Sequence, residues 1–500
     1  MDPRAKNLSW DFYAGAIVAL FAFFQLLYWP LSPRFLDIYY HLSVMEGFSQ
    51  AGGYTIHAFW EFAPVGRPHL YPPLLHILML ALFQTGLSEI TIGRIFECAL
   101  YPLLLLTIWR VSRHFFGRQA AFFIVLLFSS VYSLYLSAVV LPAFTLSTVL
   151  ALWGVFLFDK RRLWAATLLL GLSFYSHVGA ATLWAVAFVL YGLFEKRLSG
   201  ALRTVLGAAV LASPFLLYLY SQRQFFAFQK VQENAYLEID LLVYLLAAAG
   251  IFLARKEKGY FFSLSLLLAL SPMVLTHSTR ALSGMGMLGT VTMAGLALNG
   301  LYEKKKWPVM LLLIVLFFST VAPVFHLDRD TGKKEIRFGD RTVINFSNRE
   351  REQRANEYTI YHPKHYGPIV DIIRENSAQD DLIWFNLPYA GGLTALLADR
   401  ATSSAMLAEV KPFEDFDPLA SAKLVVWFKD PEKPGPLRQR ENVLRAYGFE
   451  SLAETEWVYI DRNPAATAKK TVAPATVPSW MITILLLGIL AAVIYNARSD

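Results

Sequence analysis

Seven ionisable side chains, Asp37, His41, Glu46, His57, Glu61, Arg67 and His69, crowd the stretch that follows the first apolar span of an otherwise hydrophobic chain. Charge is costly to hold at a membrane boundary, so its presence there marks chemistry by default. A carboxylate such as Asp37 can take a proton from a group within hydrogen-bond reach. The plainer role for it is a cap on a helix starting at Ile38. His41 and Glu46 lie four and nine residues further on, so on a helix they share or nearly share the face of Asp37. They could orient a base, help hold a divalent cation, or simply supply interfacial polarity. GRPHLYPP then sets Arg67 and His69 on a proline-limited segment, where Arg67 has Glu61 as an alternative partner across the loop.

A second constellation is LTHSTRALSG, in which His277 and Arg280 lie between two apolar spans. A guanidinium there can grip a phosphate through two parallel hydrogen bonds, or snorkel to the interface as long basic side chains do. His177, in FYSHVGA, sits at another span end, where a helix-end polar contact is the default role and a substrate contact the rarer one. The stretch 221–240 mixes Arg223 and Lys230 with Glu233, Glu238 and three phenylalanines, and reads as a lid or as an amphipathic interfacial helix.

These groups are positioned by a membrane scaffold. The chain has 500 residues, of which 56% are hydrophobic, too many for one soluble core. Apolar spans fall near 11–30, 91–109, 119–136, 141–158, 163–177, 179–194, 201–220, 239–254, 260–276, 283–300, 307–324 and 479–496, about twelve crossings of roughly 30 Å of hydrocarbon. The first is too long for a cleavable leader and is expected to stay as an anchor. Eighteen Lys and Arg fall in the loops assigned to the cytoplasm and five in the short external loops, so the net charge of +7 is a topology signal rather than a nucleic-acid footprint. Segment 71–87 is apolar enough to span but would invert every later loop, and is therefore expected to be juxtamembrane or re-entrant. The single cysteine, Cys98, excludes a disulfide within the chain and a thiolate metal site.

Residues 1–324 are expected to form the membrane module, with a first external loop over 31–90. Hydropathy falls at HLDRDTGKKEIRFGDR, where an external α/β domain is expected over 325–463. Its strands are predicted at 381–387, 423–428 and 457–462, its helices at 365–377, 391–398 and 439–447. Residues 464–478 read as a linker, and 479–496 as a last transmembrane helix.

The order LDIYYH, a turn at Gly52 and Gly53, then GRPHLYPPL resembles the first external loop of the GT-C superfamily, membrane glycosyltransferases that take sugars from polyprenyl-phosphate donors. The resemblance implies a polytopic α-helical membrane protein with a small external α/β domain before its last helix. It implies an inverting transfer with Asp37 as general base and Arg280, with His277, on the donor phosphate. His41, Glu46, Arg67, His69, His177 and Arg223 become supporting or substrate-binding residues. Partners would be a polyprenyl-phosphate-linked sugar, a glycan, lipid or protein acceptor, and membrane lipid, with no nucleic acid. The membrane would be the plasma membrane in a prokaryote or the endoplasmic reticulum in a eukaryote, with the site external or lumenal.

The layout is distantly similar to the catalytic subunit of oligosaccharyltransferase, with departures. SAVVLPAFTLS has no carboxylate where that subunit carries a second acidic metal-binding motif. WFNLPYAGG and LLADRATSS stand where its WWDYG and Arg-Thr-Thr stretches would be. No metal ligands are assigned, and a divalent cation, Mg or Mn, stays open as a cofactor. The alternatives are an oligosaccharyltransferase-like protein glycosylase and a non-catalytic GT-C-like scaffold, or a lipid or polysaccharide transporter. The absence of a Gly-rich phosphate loop fits a lipid-linked rather than a nucleotide sugar.

Overall fold

The structure, a computed structural model, describes residues 3–31, 33, 36–227, 236–257, 259–318, 323–328, 333–338, 363–406, 409–429, 435–482 and 484. The expected last span, 479–496, lies almost wholly outside them, as do Arg34, Lys230 and Glu233. The chain forms two compact units. One comprises Met1–Ser32, Arg94–Leu217 and Gln229–Arg349; the other comprises Pro33–Gly93, Tyr218–Phe228 and Glu350–Asp500.

The first unit is helical because its apolar runs are long, and two of its helices accommodate an internal proline, Pro102 and Pro214. Among the described residues, Trp10–Leu31, Glu89–Phe116, Pro142–Asp159 and Leu198–Ser221 are long and apolar enough to cross a membrane. The segment expected as a span over 119–136 is instead two helices, Arg118–Ser130 and Tyr132–Val140, bent by 76°. Val131, with φ −87° and ψ 104°, takes an extended conformation between them, and a β-branched residue adopts that backbone readily. The expected loop SAVVLPAFTLS is only a break at Leu141, after which Pro142 opens the next helix at a position that suits its locked φ.

The span expected at 283–300 is also divided, into Ser278–Ser283, a 3₁₀ turn and Leu288–Lys304. Every residue from Leu288 to Asn299 is buried, as an all-round apolar helix requires. Its neighbours approach so closely that a Cβ on Gly250 would collide with the backbone of Met293, and one on Gly295 with Ile124.

Residues 236–240 form a strand rather than the amphipathic helix the composition allowed. Tyr236–Asp240, which alternates apolar and polar residues from Leu237 on, pairs antiparallel with Pro323–Asp328, which pairs with Lys334–Phe338. The charged stretch expected to begin the α/β domain thus joins this small sheet.

In the second unit a five-stranded sheet runs in the order Glu450–Glu454, Val458–Arg462, Leu424–Phe428, Leu382–Phe385, Ala401–Thr402, with the last three strands parallel. Its three longer predicted strands coincide with the apolar, branched runs of the sequence. Leu424–Phe428 is buried along its whole length because both faces are covered. Ile383, Phe385, Val426 and Ile460 pack with Ile369 and Ile373 of helix Pro363–Asn376, while Val425, Trp427 and Tyr459 pack with Val443 and Leu444 of helix Gly435–Tyr447.

Compactness groups the chain differently from its linear order, since the first loop packs with the C-terminal part. Thr402 N–H donates to Trp60 O at 3.0 Å and Ala63 N–H to Thr402 O at 3.1 Å, extending the sheet beyond its short edge strand. Residues 464–478, expected as a loose linker, are laid along the same unit. Lys470 N–H donates to Asp380 O at 2.7 Å, and Gly53–Tyr54 pairs antiparallel with Val477–Pro478. Backbone pairing and the ion pair of Lys469 with Asp381 at 2.7 Å, not side-chain periodicity, hold this segment.

Candidate functional site

Helix Leu36–Ala51 carries Asp37 in its first turn. It is the second residue of that helix rather than a cap before Ile38, half-buried, and a carboxylate there is favoured by the helix dipole. One turn on, His41 is buried and its Nδ1 lies 2.9 Å from Nε2 of His76. His76 sits on helix Leu74–Phe83, ten residues long, about half the length a membrane crossing needs. His69 closes the cluster, its ring 5.6 Å from that of His76 and edge-on to Phe48 at 5.2 Å. Both ring nitrogens of His69 are buried with no hydrogen-bond partner among the described residues. Burial holds the His69 imidazole well below its usual range, and the charge of Arg67 adds to the depression.

Arg67 is wholly enclosed. Its Nη2 donates to Glu61 Oε1 at 2.9 Å and its Nε to Glu61 Oε2 at 3.4 Å, and it reaches Tyr40 Oη at 3.5 Å. Glu61 Oε2 also accepts the Met406 N–H at 2.9 Å. Burial alone would push the guanidinium toward neutrality, but Glu61 and Tyr40 more than offset it, so Arg67 stays charged. Tyr40 is pushed up by burial, against the pull of Arg67. Of the two roles open to Arg67 in the sequence, the pairing with Glu61 is the one formed.

Glu46, expected nearly on the face of Asp37, leaves this cluster because nine residues are two and a half turns, which puts it on the opposite side of the helix. Its Oε1 accepts from Gln50 Nε2 at 3.2 Å, and Gln50 in turn bonds Asp399 at 2.8 Å and Lys470 at 3.1 Å. Its Oε2 is buried with no partner among the described residues. Burial lifts the Glu46 carboxyl above the usual range, Glu89 and Asp399 add to the rise, and Gln50 and Lys470 oppose it. Arg223 is exposed, its guanidinium 4.4 Å from the Tyr220 ring centre.

In the first unit the structure brings three other candidates together. His277 precedes the short helix Ser278–Ser283, Arg280 stands exposed upon it, and the charge of Arg280 reaches both His277 and His177. His177 caps helix Val178–Phe194, its Nδ1 accepting the Ala180 N–H at 3.1 Å.

Among the described residues no group of three or more His, Cys, Asp or Glu side chains could hold a metal ion. Over 137–147 the polar side chains are the hydroxyls of Ser137, Thr145 and Ser147, of which Thr145 donates to Ala138 O at 2.7 Å and Ser147 meets Ser173 at 2.6 Å, and a set without a carboxylate does not suit a hard divalent cation. The partners that sequence reasoning missed are Tyr40, Met406, Asp399 and Lys470. Only His76, a polar residue in an apolar helix, announced itself locally.

No protein-family model and no curated protein matches the sequence. Solved structures do. The chain is similar to the archaeal oligosaccharyltransferase AglB from Archaeoglobus fulgidus in complex with an inhibitory peptide and a dolichol-phosphate (12% identity, 84% of this chain and 69% of that one, TM-score 0.51). It is similar to ArnT from Cupriavidus metallidurans in the apo state (14%, 91% and 99%, TM-score 0.51). It is also similar to the arabinofuranosyltransferase AftD from Mycobacteria (13%, 92% and 42%, TM-score 0.52). The fold is therefore GT-C-like, as the first loop implied.

Proposed function

We propose that this chain is a membrane glycosyltransferase that moves a sugar from a polyprenyl-phosphate-linked donor to an acceptor, with inversion. The observation that carries the reading is a GT-C-like fold spanning nine-tenths of the chain, with a carboxylate, Asp37, opening the helix of the first loop. Asp37 takes the acceptor proton as the acceptor oxygen bonds to the anomeric carbon, and the bond from that carbon to the donor phosphate breaks with its electron pair leaving on the phosphate. Arg280, with His277, holds the lipid phosphate and stabilises the charge it gains.

The ion pair of Arg67 and Glu61 and the histidine cluster shape the first loop rather than react. The proposed topology sets the N-terminus in the cytoplasm and Asp37 outside, following the bias of basic loops. Lipid-linked donors are supported by the dolichol-phosphate in the AglB complex and by the lack of a nucleotide-binding loop. The test is transfer from a panel of polyprenyl-phosphate sugars by purified protein and its Asp37→Asn variant, which keeps size and hydrogen bonding but cannot accept a proton. Transfer should fall about 100-fold or more with unfolding unchanged. Equal rates in the two proteins would reduce Asp37 to a helix-dipole residue and end the catalytic reading.

A further inference from the structure

Helices Glu89–Phe116 and Pro142–Asp159 enclose, toward their C-terminal ends, a groove of about 580 Å³ whose floor is Leu106, Trp153 and Phe156. Arg110, Arg113, His114 and Lys160 stand at the same groove. Both helices are long and apolar enough to cross a membrane, so these cations sit where an apolar span gives way to water.

Their charges are unevenly compensated. Arg113 pairs with Asp11 at 3.3 Å, but Arg118 draws on the same carboxylate at 3.2 Å. His114 meets Asp159 at 2.8 Å, which also takes Arg197 at 3.2 Å. Arg110 and Lys160 are exposed and share no ion pair with a carboxylate among the described residues. Each instead lies over an aromatic ring, Arg110 5.1 Å from the centre of Trp109 and Lys160 4.8 Å from that of Phe156. Charged heads resting on aromatic rings leave two positive charges beside an apolar floor.

We infer that this groove binds one anionic phospholipid, its acyl chain on Leu106, Trp153 and Phe156 and its phosphate between Arg110 and Lys160. A soluble anion would use the charges but not the floor, and a zwitterionic lipid the floor but only part of the charge. Under the proposed topology the groove opens to the cytoplasmic leaflet, where anionic lipid is concentrated.

The test is native mass spectrometry of full-length protein released from mixed phosphatidylglycerol and phosphatidylcholine micelles. The parent should retain one phosphatidylglycerol in preference to phosphatidylcholine. R110Q/K160Q should lose that preference roughly 20- to 30-fold, two surface charges' share of the attraction to anionic lipid. K160Q alone, an exposed change just past a helix end, should lose about fivefold and guards against misfolding of the double variant. R161Q, also exposed but outside the groove, should bind as the parent does. Absence of preference in the parent, full retention in K160Q, equal loss in R161Q, or displacement of the lipid by millimolar inorganic phosphate would each overturn the inference.

Discussion

Arg67 and Glu61 meet at 2.9 Å with both side chains shut off from solvent, and the same carboxylate accepts the N–H of Met406 at 2.9 Å. Three chain segments are thereby fixed to one buried charge pair. Truncating one partner leaves the other charge uncompensated in a dry place, so Arg67→Ala should cost about 3–5 kcal/mol. Glu61→Leu combined with Arg67→Met should cost clearly less. Chemical unfolding of detergent-purified protein checks this, and a loss under about 1 kcal/mol for Arg67→Ala would show the pair to be solvated.

Glu46 supplies a pH dependence of known sign. Its folded carboxyl is raised above the usual value, so its contribution to stability is full below about pH 4.5 and is lost as pH rises through the raised value. Glu46→Gln keeps an acceptor for Gln50 and removes that loss. The variant should unfold on the order of 2–4 °C above the parent at pH 7, the two curves converging toward pH 4.5. A variant less stable than the parent at pH 7 would mean that the carboxylate is needed by Lys470.

Arg280→Ala separates the phosphate role from interfacial snorkelling. Loss of a charge-assisted contact should weaken binding of a polyprenyl-phosphate donor by about 1.5–3 kcal/mol, while Asp37→Asn leaves that binding intact. Binding measured on a non-transferable donor analogue distinguishes the two, and unchanged affinity in Arg280→Ala returns the residue to the interface.

The proposed orientation is tested by reporters. A tag after Lys305 should be cytoplasmic and one after Asp328 external, because the Lys304–Lys306 cluster holds its end of the span inside. A cytoplasmic signal at both positions would remove the reason for setting Asp37 outside.

Much of this was legible locally. A run such as Leu424–Phe428, apolar at every position, can only be a doubly covered strand or a buried helix, and its branched residues and length decide for the strand. Asp37 could be singled out because a carboxylate beside an apolar span is costly whatever the fold. The LDIYYH and GRPHLYPP motifs pointed to a GT-C-like architecture, which solved structures share at 12–14% identity.

Tertiary structure alone decided which polar groups meet. Gln50 bonds Asp399 across 349 positions and Glu61 takes the Met406 N–H across 345, and no local periodicity encodes such pairs. Helix geometry puts Asp37 and His41 on one face and Glu46, two and a half turns from Asp37, on the other, but whether each faces a histidine, a carboxylate or solvent depends on what packs there. Hence His41 found His76 across 35 positions, whereas Glu46 and Gln50 meet as an i,i+4 pair that the helix itself supplies. The break at Val131 carries neither Pro nor Gly, and the serines around it, Ser129, Ser130 and Ser133, do not by themselves end a helix, so the bend is decided by packing. Apolar patterning determines which elements form, because the free energy of moving a side chain out of water is set chiefly by its type. Their partnerships depend on directional hydrogen bonds and close fit, which exist only once distant segments are side by side.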